Sequence, residues 1–419
     1  MSASKMDYSI KPDETWIIKA IAIMAMLFHH LFLAGPEYGQ VAYVLARAGK
    51  ICVALFVFLS GYGMAISFPK DMPGKVKTHF FVLCKRYAKF FLNYWFVFFI
   101  AVPVGVFCFG RPLEVAYGEN ANVITSFVND MLGQQNYNSY NITWWFNGLI
   151  LGLWLLFPLL YWLMTRRIIS ACFLVFLLFC PKWMLNTLDL VGVGVSSYIL
   201  TFSTGIFLAL HKDEINKLLN RLNPFLVLGV SVVIAVPLLY WRAIRAIANL
   251  SSYRIDPFAT VFIALAVVSL CRITKRRFVA MQYVGRHSMN MYLTHTFIFA
   301  YFFPDFIYGF KYPVLIFLAL FATSLLLSIC IEFAKRRIGF YRLQGKVVDI
   351  INRVGGLVPK ENNREKDLTK SQKWLCQAFL YGCGKFSEKL RFCCGFSHGS
   401  VKSGRTAIFW LWLCCGAET

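Results

Sequence analysis

Carboxylates are scarce in this chain. Its 419 residues hold 20 Asp and Glu against 43 Lys and Arg, and only 15% of them are charged, where a soluble globular domain carries about a quarter. The shortage excludes a solvated surface of ordinary extent. It also starves any proton-relay pathway of acids, since Glu332, near the end of the last apolar run, is almost the only carboxylate inside one. A His-Glu-x-x-His pair is missing, and no Cys lies at a zinc-type spacing from His, so no metal site is expected. The thirteen Cys outline no disulfide framework. Most lie within apolar runs, and six sit late, at Cys376, Cys383, Cys393, Cys394, Cys414 and Cys415. A cleavable leader is not evident: the first apolar run contains a lysine and lacks a small-x-small cleavage site, so it is expected to be retained.

What is present is apolar length. Hydrophobic residues make up 58% of the chain and the mean hydropathy is +0.59. A helix needs about 20 apolar residues to cross the hydrocarbon of a bilayer. Ten segments qualify as candidate spans: 16–34, 51–68, 90–109, 143–163, 168–180, 197–211, 224–241, 257–271, 288–303 and 313–333. The fifth and sixth are short or interrupted by polar residues. The expected fold is an all-α, polytopic transmembrane helical bundle of about ten spans.

The net charge of +23 is spread as short clusters between the spans. That pattern fits the positive-inside bias and a lipid partner, not nucleic acid. With the N-terminus cytoplasmic, the inner segments to residue 342 carry 22 Lys and Arg and the outer segments 8. Both ends of the bundle are thus expected in the cytoplasm of a multi-pass cell-membrane protein. One outer segment, 242–256, breaks the rule with Arg242, Arg245 and Arg254. Either the topology slips there, or these arginines serve an anionic acceptor. Another, 110–142, is rich in Asn, Gln and Tyr. It reads as an ordinary solvated loop or as a polar lid over a hydroxyl-rich acceptor such as a sugar.

The first span, "WIIKAIAIMAMLFHHLFLAG", keeps Lys19, His29 and His30. Each ionisable group inside hydrocarbon costs about 2.5–3.5 kcal/mol on insertion scales. A helix turns about 100° and rises about 1.5 Å per residue, so Lys19 and His30 share a face about 16 Å apart, whereas His29 lies about 80° away. Lys19 reads either as a side chain snorkelling to the headgroups or as part of a polar pathway. The histidines read either as satisfied interior imidazoles or as proton acceptors near neutral pH.

A basic residue followed ten residues later by His resembles the first-span signature of the bacterial membrane-bound acyltransferase-3 family, with Lys19 where the family usually has Arg. "ALFVFLSGYGM", 54–64, resembles the family's second span through Ser60-Gly61-Tyr62, although Ala54 stands where many members have an acidic or polar residue. "CKRYAKFFLNYW", 84–95, resembles the cytoplasmic Arg-x-x-Arg element, here Arg86 to Lys89. "TWWFNGLILGLWLLFPLL", 143–160, and "YVGRHSMNMYLTH", 283–295, resemble a Trp-containing fourth span and a late Tyr-Leu-x-His segment. The resemblance runs from about residue 13 to 340. It divides the chain into an acyltransferase-3-like transmembrane domain, 1–355, and a tail, 356–419. In the tail, 372–393 reads as a basic amphipathic helix on the inner leaflet, and "AIFWLWLCC", 407–415, is too short to span.

The resemblance implies O-acyl transfer from a cytoplasmic thioester, acetyl-CoA or another acyl-CoA, to a glycan hydroxyl outside, with no resident cofactor. A phosphorylated donor calls for a cationic dock, and Lys85, Arg86 and Lys89 are its candidates; the same residues could instead anchor to anionic lipid heads. His30 is the candidate base, or the carrier of a transient acyl group. Lys19, Ser60, Tyr292 and His295 are candidates to meet the developing oxyanion. Ser60-Gly61 could equally be a packing seam, and His295 a satisfied interior histidine. The rival from another class is a transporter of polysaccharide intermediates with Lys19 and His30 as relay. The missing half-repeats and missing intramembrane acids count against it.

Overall fold

A computed structural model describes residues 6–68, 76–134, 139–186, 194–248 and 250–355. The tail with its six cysteines, its expected interfacial helix and the run 407–415 lies outside the described residues. All regular structure among those described is helical. In chain order the helices are α1 (Pro12–Phe32), α2 (Gln40–Gly49), α3 (Ile51–Ser67), α4 (Val76–Cys108), α5 (Leu113–Tyr117), α6 (Val123–Met131), α7 (Trp145–Met164), α8 (Arg167–Phe179) and α9 (Lys182–Leu185). They continue with α10 (Val195–Leu210), α11 (Lys212–Leu219), α12 (Pro224–Ile247), α13 (Asp256–Thr274), α14 (Val279–Thr296), α15 (Pro304–Tyr308), α16 (Pro313–Arg337) and α17 (Phe340–Gly355).

Among the described residues, seven helical stretches are long and apolar enough to cross a membrane, from Pro12–Phe32 to Pro313–Arg337. Hydrocarbon offers backbone groups no partner, so a spanning chain must satisfy them within its own helix. Three expected spans fall short of that description. Helices α8 and α10 are apolar but shorter. Helix α14 is long but polar, and its polarity is turned inward: Gln282, His287, Ser288, Asn290 and His295 are all buried. Boundaries also move. Helix α4 starts well before the expected residue 90, so Lys85, Arg86 and Lys89 ride on it. Helix α12 runs on to Ile247 and carries Arg242 and Arg245 with it.

Packing sets the register of the site. Helices α1 and α14 run side by side in the same direction. At one end, a Cβ on Gly285 would stand 1.9 Å from the Trp16 carbonyl oxygen, so only glycine allows the approach. At the other end the rings of His30 and His295 lie 5.1 Å apart. Helices α3 and α10 meet along a similar seam, with Gly61 against the Phe202 carbonyl and Gly205 against that of Phe58.

Two ends of the bundle are pinned differently. At the end where α1 begins, the Ile10 N–H donates to Tyr62 Oη at 3.0 Å, the Met6 N–H donates to Asn220 at 2.7 Å, and Arg272 of α13 pairs with Glu14. We call this the terminal end. At the opposite, loop end the described residues of the polar stretch, 110–134 and 139–142, pack over α4. Tyr94 Oη donates to the Asp130 carbonyl at 2.7 Å, Trp95 Nε1 donates to that of Met131 at 2.8 Å, and the Tyr140 N–H donates to the Asp130 carboxylate at 2.7 Å. Burial raises the Asp130 carboxyl to about 6, against the opposing pull of that Tyr140 N–H.

Candidate functional site

Three cavities follow one another through the bundle. The first, about 670 Å³, lies toward the terminal end and is walled by Lys19, Ser60, Arg86, Lys89, Trp154 and Arg286 among others. The second, about 330 Å³, sits between α1, α3, α7 and α14, with Lys19, His29, His30, Lys50, Phe146 and Tyr292 in its wall. The third, about 370 Å³, lies toward the loop end and includes Arg47, Lys50, Lys182 and Arg242. Neighbouring cavities share walls. Lys19, Phe56, Phe146 and Met289 border both the first and the second. His29, Lys50 and Trp145 border both the second and the third.

The helix periodicity that puts Lys19 and His30 on one face also brings both to the central cavity. His29 reaches it as well, because α2 packs across α1 and encloses that side. The two histidines differ in their bonds. His29 Nδ1 donates to the Ala46 carbonyl of α2 at 2.7 Å. Neither nitrogen of His30 has a hydrogen-bond partner among the described residues; its ring touches only those of His29 and His295. Lys19 likewise makes no hydrogen bond or ion pair among the described residues, and its ammonium rests 4.7 Å from the Trp16 ring centroid.

His295 does not wall the cavity. It is fully buried behind His30, with Nδ1 donating to the Tyr292 carbonyl at 2.8 Å. A chain of hydroxyls fixes what its other nitrogen can do. The Thr143 N–H donates to Asn141 Oδ1, which identifies that atom as oxygen, and the Thr143 hydroxyl donates to the same oxygen at 2.7 Å. In the 2.9 Å contact between Thr143 and Thr296, Thr296 must then be the donor. Its proton is thereby withheld from His295 Nε2, 3.3 Å away. A neutral His295 keeps that lone pair unclaimed, next to His30.

Tyr292 faces the central cavity, and its hydroxyl lies 3.1 Å from the Thr143 carbonyl and 3.2 Å from Asn147 Oδ1. Trp144 Nε1 donates to the Leu293 carbonyl at 3.0 Å, so the start of α7 is laced to the end of α14. Beyond Thr296 the helix widens into π turns over Phe297–Phe302, a form that tends to occur beside functional sites.

Ser60 belongs to the first cavity, not to the His30 chamber; its hydroxyl accepts from Trp154 Nε1 at 2.8 Å. Arg86 and Lys89 also wall the first cavity, with the Arg86 guanidinium 5.4 Å from the Trp154 ring centroid, whereas Lys85 is not among its walls. The sequence reading missed Lys50, which opens an apolar run and looks like its boundary, and Arg286, whose place in "YVGRHSM" gave a signal that was not used.

The chain matches the family model described as "Acyltransferase domain" (acyltransferase-3) over residues 16–333. No curated protein and no solved structure gives a significant match. The match covers most of the chain, so the protein belongs to the acyltransferase-3 family and is a membrane acyltransferase.

Proposed function

We propose that this membrane acyltransferase moves an acyl group, acetyl in the simplest case, from a cytoplasmic coenzyme A thioester to a hydroxyl of an extracytoplasmic glycan. The proposal includes ten spans, with α8, α10 and α14 completing the seven longer helices, and a terminal end facing the cytoplasm of a cell membrane. The observation that carries it is His30: an imidazole with both nitrogens unclaimed, in a cavity that adjoins a basic cavity on one side and opens toward the other end of the bundle.

The chemistry then divides along the cavities. Arg86 and Lys89 hold donor phosphates, and a cation over the Trp154 ring suits Arg86 to that task. The acyl end passes Lys19 into the central cavity. A His30 nitrogen takes the proton of the acceptor hydroxyl as its oxygen attacks the thioester carbon. The C–O bond forms and negative charge gathers on the carbonyl oxygen. Lys19, about 16 Å along α1 from His30, lines the path of the donor's arm, and the Tyr292 proton is already given to the Thr143 carbonyl or Asn147 Oδ1. Collapse breaks the C–S bond, and the proton on His30 returns to the departing thiolate. His295, behind His30, is a positioning residue in this scheme.

Proteoliposomes test the reading. Labelled acetyl-CoA is supplied on one side and a glycan fraction on the other, with protein orientation fixed by an epitope on α17. Labelled glycan is expected only when the donor faces the Arg86 cavity. Unmodified glycan carried across, with no label transferred, would replace the enzyme reading by the transport reading.

A further inference from the structure

The third cavity holds more positive charge than the fold needs. Arg242 is neutralised: its Nε donates to Asp256 Oδ1 at 2.6 Å, and both side chains are buried. Asp256 is the one carboxylate among the described residues of the walls. Arg47, Lys50 and Lys182 also border this space and have no carboxylate partner among the described residues. Arg47 spends Nη2 on the Tyr43 hydroxyl at 2.9 Å, and its Nε is buried with no partner among the described residues. Three such cations around one cavity repel each other, and at a membrane's outer side they oppose the usual charge bias. Nothing in the bonding of the described residues recovers that cost.

We infer that this cavity selects an acceptor carrying an anionic group, a carboxylate or a phosphate, close to the hydroxyl that is acylated. The volume of about 370 Å³ lies in the range of small-molecule sites. Ser197, Ser251 and Ser252 supply polar groups, and Trp145 a flat apolar face. Lys50 makes the link to chemistry, because it walls both this cavity and the one holding His30. An anion seated on Lys50 and Arg47 presents its neighbouring hydroxyl toward the central cavity. Arg245 and Arg254 are spent on the Ser251 and Cys180 carbonyls and take no part.

The inference rests on the acyl-transfer reading for the direction of the reaction, but its test does not depend on turnover. Binding is measured by calorimetry on the full chain in nanodiscs. The probes are an oligosaccharide of alternating glucuronate and N-acetylglucosamine, the same oligosaccharide with its carboxylates converted to methyl amides, and glucose 1-phosphate beside glucose. At least about tenfold tighter binding is expected for each anionic probe than for its neutral partner. Lys50→Gln and Lys182→Gln should each erode that ratio several-fold, and Lys50→Arg should restore it. Equal affinity for charged and neutral probes overturns the inference, as does a charge preference untouched in both variants. Nanodiscs with and without phosphatidylglycerol separate the sources of the anion: if the lipid abolishes probe binding, the cavity is a headgroup site and the inference falls. A charge preference without any acyl transfer would sink the proposed reaction and leave this inference standing.

Discussion

Lys335 and Lys19 are both ammonium groups on membrane-length helices, and they are held in opposite ways. Lys335 is almost fully buried, and its Nζ donates to Asn93 Oδ1 at 3.0 Å, to Asn290 Oδ1 at 3.1 Å and to Glu332 Oε1 at 3.1 Å. Glu332 also takes the Tyr341 hydroxyl and an Asn290 N–H. Every donor of that ammonium is used. Lys19 has an aromatic ring beside it, no acceptor among the described residues, and cavities on two sides. The first arrangement fastens α16 to α4 and α14. The second leaves its donors unspent among the described residues. A charged group's bonding, more than its depth, separates a structural role from a chemical one.

That contrast can be broken from the structural side first. Lys335→Met removes a buried cation and leaves Glu332, part-buried, without its ion partner. Breaking such a pair costs about 3 kcal/mol, so thermal unfolding in detergent should shift clearly downward. Adding Glu332→Gln should recover much of the loss; a Lys335→Met protein as stable as the parent would show the network to be idle. From the chemical side, Lys19→Met should leave the unfolding transition nearly unmoved. It should weaken use of the acyl donor and lower acyl transfer about tenfold at limiting acetyl-CoA, the size of one lost charge-assisted contact. A large stability loss with normal transfer would reverse the two roles.

A smaller effect sharpens the comparison at the loop end. The Asp130 carboxyl has a folded-state pKa of about 6 against an ordinary 3.8. The folded state therefore binds the extra proton first. The stability this contributes is fully present below the ordinary value and is lost as pH rises through about 6. Between pH 7 and pH 5 the gain is about 1 kcal/mol. Protection factors for residues 123–134 and 139–144, corrected for the intrinsic exchange rate at each pH, should rise on acidification, and Asp130→Asn should flatten that response. Protection factors that fall at pH 5 in the parent would contradict the assignment.

Part of the candidate site's geometry was readable along α1. Helical periodicity alone put Lys19 and His30 on one face, since a straight helix needs no partner to fix that geometry. Two elements hid themselves for physical reasons. Helix α14 buries His287 and Asn290 against α16 and His295 against α1, so its hydropathy is low although it runs beside α1 through the bundle. The stretch 110–142 looks like solvated loop by composition, yet Asp130 and Tyr140 are buried, and Tyr94 and Trp95 of α4 hold its Asp130 and Met131 carbonyls. Lys50 escaped notice because a lysine at the start of an apolar run has the look of a headgroup anchor. Only the meeting of α2, α3 and α7 turns it inward.

His29 and His30 give the most direct test, because they are adjacent, equally intramembrane, and differ in whether a nitrogen is already bonded. Acyl transfer from labelled acetyl-CoA to a glycan fraction should be compared for His30→Ala and His29→Ala, with folding verified for both by size exclusion and thermal unfolding. The account predicts a loss of at least about a hundredfold for His30→Ala. For His29→Ala it predicts a loss within about tenfold, in line with a single buried hydrogen bond. Equal rates in the two folded variants would contradict it.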